Sequence, residues 1–174
     1  MTTATLPPAR LVTLPHRTPT AWGHNTPVFS VRPARQDEGA ALAALSRPFV
    51  ETGALRQRPL SLYLSRASDF LVAQAPDGTL EGCVGLHEHP AAGVLYNFCV
   101  AGRRQGTGMG ARLLHTAFAR ARNRSLTTLF TATTGSGRLF LRHGFVPVSP
   151  SQAPTAWARS LDPARDARIL ARPV

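Results

Sequence analysis

The sequence predicts a single mixed α/β domain, and three observations support this class. An apolar run over 94–100 is followed by a glycine-rich stretch at 105–110 and then by apolar residues at helical spacing, which is the order strand, turn, helix. Earlier in the chain, two apolar runs flank the turn sequence Pro76-Asp77-Gly78 and predict a β-hairpin. The length of 174 residues is sufficient for one complete core.

The first half of this domain is predicted to contain three strands and two helices. Residues 28–32 alternate in polarity and predict a first strand. Asp37 and Glu38 supply the acidic first turn of a helix at 40–45. Pro48 is expected to close that helix, because proline cannot donate the next backbone hydrogen bond. A linker at 49–55, a helix at 60–66 and hairpin strands at 70–73 and 80–86 follow.

The second half alternates between strands and helices. Residues 89–93 form a turn before the apolar run, and β-branched residues over 126–133 predict the next strand. Gly144 is a suitable C-cap for a short helix at 138–143. The expected order is therefore a strand at 94–100, a helix at 109–121, a strand at 126–133, a helix at 138–143, a strand at 145–148, a short helix near Trp157 and a strand at 167–171.

The domain is expected to span residues 27–174. Residues 1–26 carry prolines and threonines without a hydrophobic period, so we interpret them as an N-terminal extension, with flexibility as one option. No window of the sequence approaches a membrane span, and the N-terminus has no apolar signal core. The default expectation is a cytoplasmic protein with no membrane partner.

The formal net charge is +11, and all 20 basic residues are arginine. The absence of lysine suggests a compositional bias, and no basic block with interleaved aromatics is present, so a nucleic-acid partner is not favoured. An anionic small ligand is the alternative that this charge supports. Cys83 and Cys99 lie in apolar segments and are expected to be buried free thiols. The cysteines show no metal-ligand spacing, so no metal is expected.

The glycine-rich stretch predicts an anion site. Glycines let the backbone approach a ligand, and the first turn of the following helix offers unpaired N–H groups with a partial positive charge. A Walker phosphate loop requires a lysine, which this chain lacks. A Rossmann fingerprint requires an acidic residue about 20 residues later. The segment 125–134 contains none, which argues against that motif as well.

The stretch instead resembles the pyrophosphate loop of the GNAT acetyltransferase superfamily, in which Gln-x-x-Gly-x-Gly between a strand and a helix holds coenzyme A. The segment Arg138–Phe145 resembles the helix-Gly-Phe end of the coenzyme A region, and the order of elements matches from Val28 to Val174. The resemblance implies the GNAT fold, which has a mixed, mostly antiparallel central sheet. Helices flank this sheet, and it is splayed between its fourth and fifth strands.

Within the superfamily, the chain looks most like the acetyltransferase domain of bacterial N-acetylglutamate synthases, in a short stand-alone form. The resemblance implies acetyl-CoA-dependent transfer to the amine of a small acceptor, such as the amino acid glutamate. Three alternatives are left open. The acceptor can be a different amine (another amino acid, an antibiotic, a protein N-terminus), the protein can be a coenzyme A-binding module without turnover, and the assembly can be a homodimer. The likeness lies in segments 53–55, 82–86, 129–134, 142–148 and 166–170.

The resemblance assigns coenzyme A to the gap between strand 94–100 and strand 126–134. The pantetheine arm pairs with the backbone of the first strand, where one N–H serves as oxyanion donor. Loop amides bind the pyrophosphate, and Arg103 or Arg104 adds charge-assisted bonds. The expected coenzyme A residues are Phe98, Cys99, Val100, Arg103, Arg104, Gln105, Gly106, Thr107, Gly108, Met109, Gly110, Ala111 and Phe140.

Two residues that commonly transfer protons in related enzymes are absent. Val94 occupies the position of a glutamate in many N-acetylglutamate synthases, and Phe140 the position of a tyrosine in many GNAT enzymes. Glu88 is the first candidate for a general base and His87 the second. Tyr96 is a candidate donor to the leaving thiolate, with a packed core tyrosine as the alternative.

A glutamate acceptor carries two carboxylates and therefore requires cations. Arg58 falls close to the arginine of the Gly-Ile-Leu-Val-Arg-Arg segment of the N-acetylglutamate synthases, although Gln57 and Pro59 disturb the match. Arg58, or Arg56, is therefore expected to bind an acceptor carboxylate.

Overall fold

The computed structural model describes residues 29–174, so the N-terminal extension at 1–26 and the domain boundary at 27 lie outside the described residues. Seven strands form one sheet: β1 (Ser30–Pro33), β2 (Phe70–Gln74), β3 (Leu80–His89), β4 (Ala92–Val100), β5 (Thr128–Thr133), β6 (Val146–Pro147) and β7 (Arg168–Pro173). The helices are α1 (Gly39–Glu51), α2 (Leu60–Ser65), α3 (Met109–Asn123), α4 (Arg138–Arg142) and α5 (Thr155–Arg159). No helix in the described range is both long enough and apolar enough to span a membrane.

The sheet has the order β1-β2-β3-β4-β5-β7-β6. Every neighbouring pair is antiparallel except β4 and β5, which are parallel. The β4–β5 ladder runs only from the pair Ala92 and Thr128 to the pair Leu95 and Thr131, although β4 continues to Val100. The predicted splay between the fourth and fifth strands is therefore confirmed. A gap opens at the carboxyl ends of these two strands.

Helices cover both faces of the sheet. The apolar stripe of α3, which includes Leu113, Leu114 and Phe118, packs on one face with Leu86 and Leu95 from the strands. On the other face, α1 and α2 cover the strands from β1 to β4, and α5 covers β5 and β7. The space between α2 and α5 on this second face leaves part of β4 uncovered.

The first helix is longer than predicted, because Pro48 does not end it. Pro48 lies within the last turn of α1, where the missing N–H removes a single hydrogen bond. Its carbonyl still accepts the N–H of Thr52 at 3.2 Å. The predicted linker at 49–55 therefore begins only after Glu51.

Two strand boundaries also differ from prediction. Pro33 was expected after the first strand but is its last residue, which is possible because β1 is an edge strand. The predicted turn at 89–93 contracts to Pro90 and Ala91, and Ala91 adopts a left-handed φ of 57°. His87, Glu88 and His89 consequently belong to β3 and alternate between its two faces.

The acidic turn before α1 is confirmed, and it also contains an ion pair. The buried carboxylate of Glu38 accepts hydrogen bonds from both terminal nitrogens of Arg32 at 2.8 and 2.6 Å. The N–H of Arg35 donates to the same carboxylate at 2.7 Å. The hydrogen bonds from Arg32 outweigh burial and lower the pKa of Glu38 to about 2. This carboxylate therefore ties the start of α1 to β1.

Candidate active site

A cavity of about 530 Å³, here named the loop cavity, lies where β4 ends and α3 begins. It joins the open end of β4 to the glycine-rich loop and to the end of α4. Its lining residues are Phe49, Phe98, Cys99, Val100, Arg104, Gln105, Gly106, Gly108, Gly110, Ala111, Leu139, Arg142 and His143.

Two glycines give the loop its conformation. Gly106 has φ 78° and Gly108, the N-cap of α3, has φ 84°. Side chains are strained in this left-handed region, whereas glycine adopts it freely. A Cβ at either position would meet no atom within 4 Å, so the space in front of the loop is open.

The open loop presents several unpaired backbone donors. Within residues 29–174, the backbone N–H groups of Gly106, Gly108, Met109, Gly110 and Ala111 form no hydrogen bond. These groups surround the N-terminus of a 15-residue helix, where the helix dipole adds partial positive charge. The arrangement fits the anion site that the sequence predicts, and it is suited to phosphate.

The structure places the two arginines before the loop against a buried carboxylate. Arg103 donates from Nε and Nη2 to one oxygen of Glu81 at 3.1 and 3.0 Å, and Arg104 Nε donates to the other oxygen. In this arrangement the two side chains anchor the loop to β3, and their role at phosphate stays a prediction. The sequence signal for this anchor is a single acid in the apolar run 80–86, which was missed.

The free edge of β4 also faces the loop cavity. The N–H of Ala101 donates to Glu81 O at 2.7 Å, and groups in an antiparallel strand alternate in direction. Val100 and Phe98 therefore direct their backbone groups away from β3, towards the gap. Gln105 Nε2 donates to Val100 O at 3.1 Å and holds the loop at this edge.

Phe140 lies behind the cavity wall. Its ring meets that of Phe98 edge-on, with centroids 5.4 Å apart, and 9% of the residue is exposed. It therefore supports Phe98, whereas Leu139, Arg142 and His143 line the cavity from the same segment.

A second cavity of about 290 Å³, here named the arginine cavity, lies on the face shared by α2 and α5. Among residues 29–174, the side chains that line it include Arg56, Arg58, Arg66 and Arg165 and a single acid, Asp162. The remaining lining residues are Ala54, Leu55, Leu62, His87, Val94, Leu95, Tyr96, Asn97, Ala132, Thr134, Trp157, Ser160, Leu161 and Ala167.

Two of the arginines join the sides of this cavity. Arg56 Nη1 donates to Ser160 O at 3.0 Å, and Arg165 Nη2 donates to Gly53 O at 2.8 Å. These bonds link the segment before α2 to the segment before β7. Sequence reasoning identified Arg56 but not Arg165, because no local pattern distinguishes it among 20 arginines.

Arg58 is a cation with an unused hydrogen-bonding fork. Within the part of the chain that the structure describes, its guanidinium has no hydrogen-bond or ion-pair partner, and its Cζ lies 4.9 Å from the Tyr96 ring centroid. Burial lowers the pKa of Arg58, although a guanidinium stays charged in proteins. A desolvated guanidinium of this kind is best satisfied by a carboxylate.

The acetyltransferase (GNAT) domain family matches residues 66–147, which include β3, β4, the loop and α3. The fold, the open loop and this match agree. The chain contains a GNAT acetyltransferase domain. Its domain is therefore that of a transferase enzyme.

Curated relatives of this GNAT domain are named amino-acid acetyltransferase. The protein from Ralstonia nicotianae is 35% identical over 132 residues, which cover 75% of this chain and 29% of the relative. The protein from Pseudomonas putida is 29% identical over 146 residues, covering 83% and 34%. The chain thus spans about a third of the length of these relatives.

Among solved structures, N-acetylglutamate synthase from Neisseria gonorrhoeae, complexed with coenzyme A and N-acetyl-glutamate, is similar with a TM-score of 0.78 and 29% identity. The match covers 83% of this chain and 35% of that one. Rv2747 from Mycobacterium tuberculosis, in complex with coenzyme A, gives a TM-score of 0.69 at 22% identity, covering 83% and 99%. At that identity the likeness supports the fold alone.

The candidate bases of the GNAT domain lie on opposite faces of β3. His87 lines the arginine cavity, and its Nδ1 lies 2.9 Å from Arg66 Nη1. Because a guanidinium only donates, Nδ1 accepts, and a neutral ring then carries its proton on Nε2. Glu88 faces the α3 side, where its carboxylate lies 3.6 Å from Arg124. The structure thus separates Glu88 from the cavity that His87 lines.

Tyr96 is the tyrosine that lines the arginine cavity. The ring covers Gly85 so closely that a Cβ there would lie 2.5 Å from ring atoms. The hydroxyl oxygen is buried and has no hydrogen-bond partner among residues 29–174. Burial, with a smaller contribution from the Asp69 carboxylate, raises the pKa of Tyr96 above its usual value. The hydroxyl is therefore protonated at neutral pH and has a proton to donate.

The two cysteines are buried free thiols, as predicted. Cys83 and Cys99 are cross-strand neighbours with their Sγ atoms 3.6 Å apart, and the contact with Cys99 raises the pKa of Cys83 together with burial. Over the described range, no three His, Cys, Asp or Glu side chains gather as a metal site would require.

Proposed function

We propose that this GNAT domain transfers the acetyl group of acetyl-CoA to the amine of a small acceptor that carries carboxylates, with glutamate as the favoured acceptor. The observation that carries this proposal is Arg58, a partly buried guanidinium without a partner among the described residues, in a cavity with three further arginines. A single α-carboxylate would leave much of this charge uncompensated, whereas a dicarboxylate would match it better. The names of the amino-acid acetyltransferase relatives point to the same class of acceptor.

The loop cavity fits coenzyme A. The free N–H groups of Gly106 and of residues 108–111 would hold the pyrophosphate, and the backbone of Phe98 and Val100 would pair with the pantetheine arm. Acetyl-CoA supplies the acetyl thioester. A backbone N–H at this open edge would stabilise the oxyanion of the tetrahedral intermediate.

The arginine cavity also explains how an amine could react without the glutamate that Val94 replaces. The arginines disfavour a further positive charge, so an amine bound beside them has a lowered pKa and is more readily neutral. His87, whose proton is on Nε2, would donate a hydrogen bond to the acceptor. Glu88, on the opposite face, has no part in this arrangement.

Tyr96 is proposed as the proton donor to the leaving thiolate. Its raised pKa keeps the hydroxyl protonated, and the hydroxyl forms no hydrogen bond with the described residues, although the Asp69 carboxylate is near enough to contribute to the raised pKa. The amine nitrogen forms a bond to the acetyl carbon, the carbon–sulfur bond breaks, and the sulfur takes the tyrosine proton. The nitrogen then releases its own proton, which restores the tyrosine through water.

The test measures free thiol released from acetyl-CoA across a panel of amino acids. We expect the highest kcat/KM with glutamate, a lower value with aspartate, and at least a tenfold lower value with leucine, because leucine lacks the second carboxylate. Equal rates with glutamate and leucine would contradict the dicarboxylate assignment. Acetyl-CoA binding without turnover on any amine would favour a coenzyme A-binding module. This is the alternative function, because Val94 and Phe140 occupy the positions of the usual proton-transfer residues.

A further inference from the structure

β4 contains a bulge between the two cavities. Gly85 pairs with Tyr96 and Cys83 pairs with Cys99, so Val84 faces both Asn97 and Phe98. Asn97 adopts φ 51°, a left-handed conformation that is unfavourable for a side chain other than glycine but is tolerated by asparagine. A bulge redirects the residues beside it. Tyr96 lines the arginine cavity before the bulge, and Phe98 lines the loop cavity after it.

The side chain of Asn97 is held by two helices. Its Nδ2 donates to Ser46 Oγ of α1 at 2.7 Å, and its Oδ1 accepts from Tyr63 OH of α2 at 3.1 Å. Ser46 Oγ donates onward to Leu42 O at 2.8 Å. Exposure is 6% for Asn97, 1% for Ser46 and 2% for Tyr63. Buried polar groups with complete pairing specify one geometry, because each alternative leaves a donor or acceptor unsatisfied.

We infer that Asn97, Ser46 and Tyr63, here named the bulge clamp, are positioning residues for acetyl transfer. The clamp fixes the left-handed turn at Asn97, and this turn sets both the direction of Tyr96 and that of the Phe98 backbone. The Asn97 amide bonds to Ser46, to Tyr63 and to the Sγ of Cys83, so it acts through its neighbours and not on the acceptor. The inference rests on the proposed function, in that the reaction occurs where the two cavities meet.

The clamp predicts different results for three substitutions. Asn97→Gly keeps the left-handed backbone accessible but removes both side-chain bonds, and Tyr63→Phe removes one of them. For each, we expect kcat to fall about tenfold or more, while the Kd of coenzyme A changes much less than kcat, because the loop donors are untouched and only the Phe98 contact with the pantetheine arm is displaced. Asn97→Ala adds backbone strain, so we expect it to lose more activity than Asn97→Gly.

Two comparisons separate positioning from general loss of stability. Ser46→Ala removes the hydroxyl, and Ser46→Thr keeps it, so the second variant should retain more kcat than the first. Phe118→Leu removes a ring that packs in the hydrophobic core on the opposite face of the sheet, so it should lower Tm and leave kcat unchanged. Activity is measured in the full chain with whichever amine wild type acetylates fastest, so failure with glutamate removes only the acceptor proposal. The clamp would be overturned if Asn97→Gly and Tyr63→Phe both retained the kcat of wild type. It would also be overturned if Phe118→Leu, at the same Tm as the clamp variants, lost as much kcat as they do.

Discussion

The loop cavity and the arginine cavity meet on β4 but are built from different materials. The loop cavity presents backbone N–H groups from a continuous segment, 106–111, and two left-handed glycines give that segment its shape. The arginine cavity presents side chains from distant parts of the chain, which include Arg58, His87 and Arg165. The first therefore depends on backbone conformation, and the second depends on the identity of each side chain.

This difference teaches where specificity can change. Backbone donors recognise phosphate whatever the neighbouring side chains are, so the loop cavity keeps one type of ligand. In the arginine cavity, one substitution changes the charge or the hydrogen bonding offered to an acceptor. Substitutions there should separate acceptor binding from acetyl-CoA binding, and the following variants test this separation.

The largest effect is expected for Tyr96→Phe. The ring is retained, with its packing on Gly85 and its contact with Arg58, and only the hydroxyl is lost. We expect kcat to fall about 100-fold, which is within the usual range for removal of a general acid. Steady-state kinetics measure kcat, and calorimetry should show an unchanged Kd for coenzyme A. A kcat within threefold of wild type would make Tyr96 a packing residue.

Arg58→Gln should lower kcat/KM for the acceptor about 30-fold, because a hydrogen bond to a charged group contributes about 1.5–3 kcal/mol. The KM for acetyl-CoA should stay within about twofold of wild type, since loss of the Arg58 guanidinium from the arginine cavity does not alter the loop. Arg56→Gln is the matched control. Arg56 is already bonded to Ser160 O, so its loss should affect the acceptor less. If both variants lose the same activity, Arg58 has no distinct role in binding the acceptor.

Gly108→Ala tests the loop cavity from its backbone. The left-handed conformation costs an alanine about 1–2 kcal/mol, so we expect the Kd of coenzyme A to rise about tenfold. Gly102→Ala is the control, because its Cβ would also meet no atom within 4 Å but its φ is not in the left-handed region. Acceptor KM should be unchanged in both. Similar affinities for coenzyme A in the two variants would show that the loop conformation does not limit binding.

The contrast between the cavities also explains what the sequence could predict. The loop, α3 and the splayed strands follow from local patterns: glycine spacing, apolar residues every three or four positions, and an apolar run. Glu81 was missed although it holds Arg103 and Arg104 from 22 and 23 positions away, because such a pairing leaves no local pattern. Arg165 bonds Gly53 across 112 positions for the same reason.

The bulge at Asn97 was equally hidden. The run 94–100 is buried on both faces of the sheet, so it lacks the alternation that would reveal an extra residue. The faces of His87 and Glu88 could be separated only once β3 was seen to reach His89. The predicted end of α1 at Pro48 was wrong for a different reason. A proline in the last turn of a helix removes only one hydrogen bond, so the helix can continue through it.

The smallest effect is expected for Arg103→Gln, and it tests whether anchoring or phosphate binding is the role of this side chain. The Arg103 side chain is 65% exposed and shares Glu81 with Arg104, which remains bonded to that carboxylate after the substitution. We therefore expect a change in coenzyme A affinity below about twofold, and a loss of stability below about 1 kcal/mol, as for other exposed ion pairs. Calorimetry at two salt concentrations measures the first, and urea unfolding measures the second. A tenfold loss of affinity that disappears at high salt would show that Arg103 binds the phosphate.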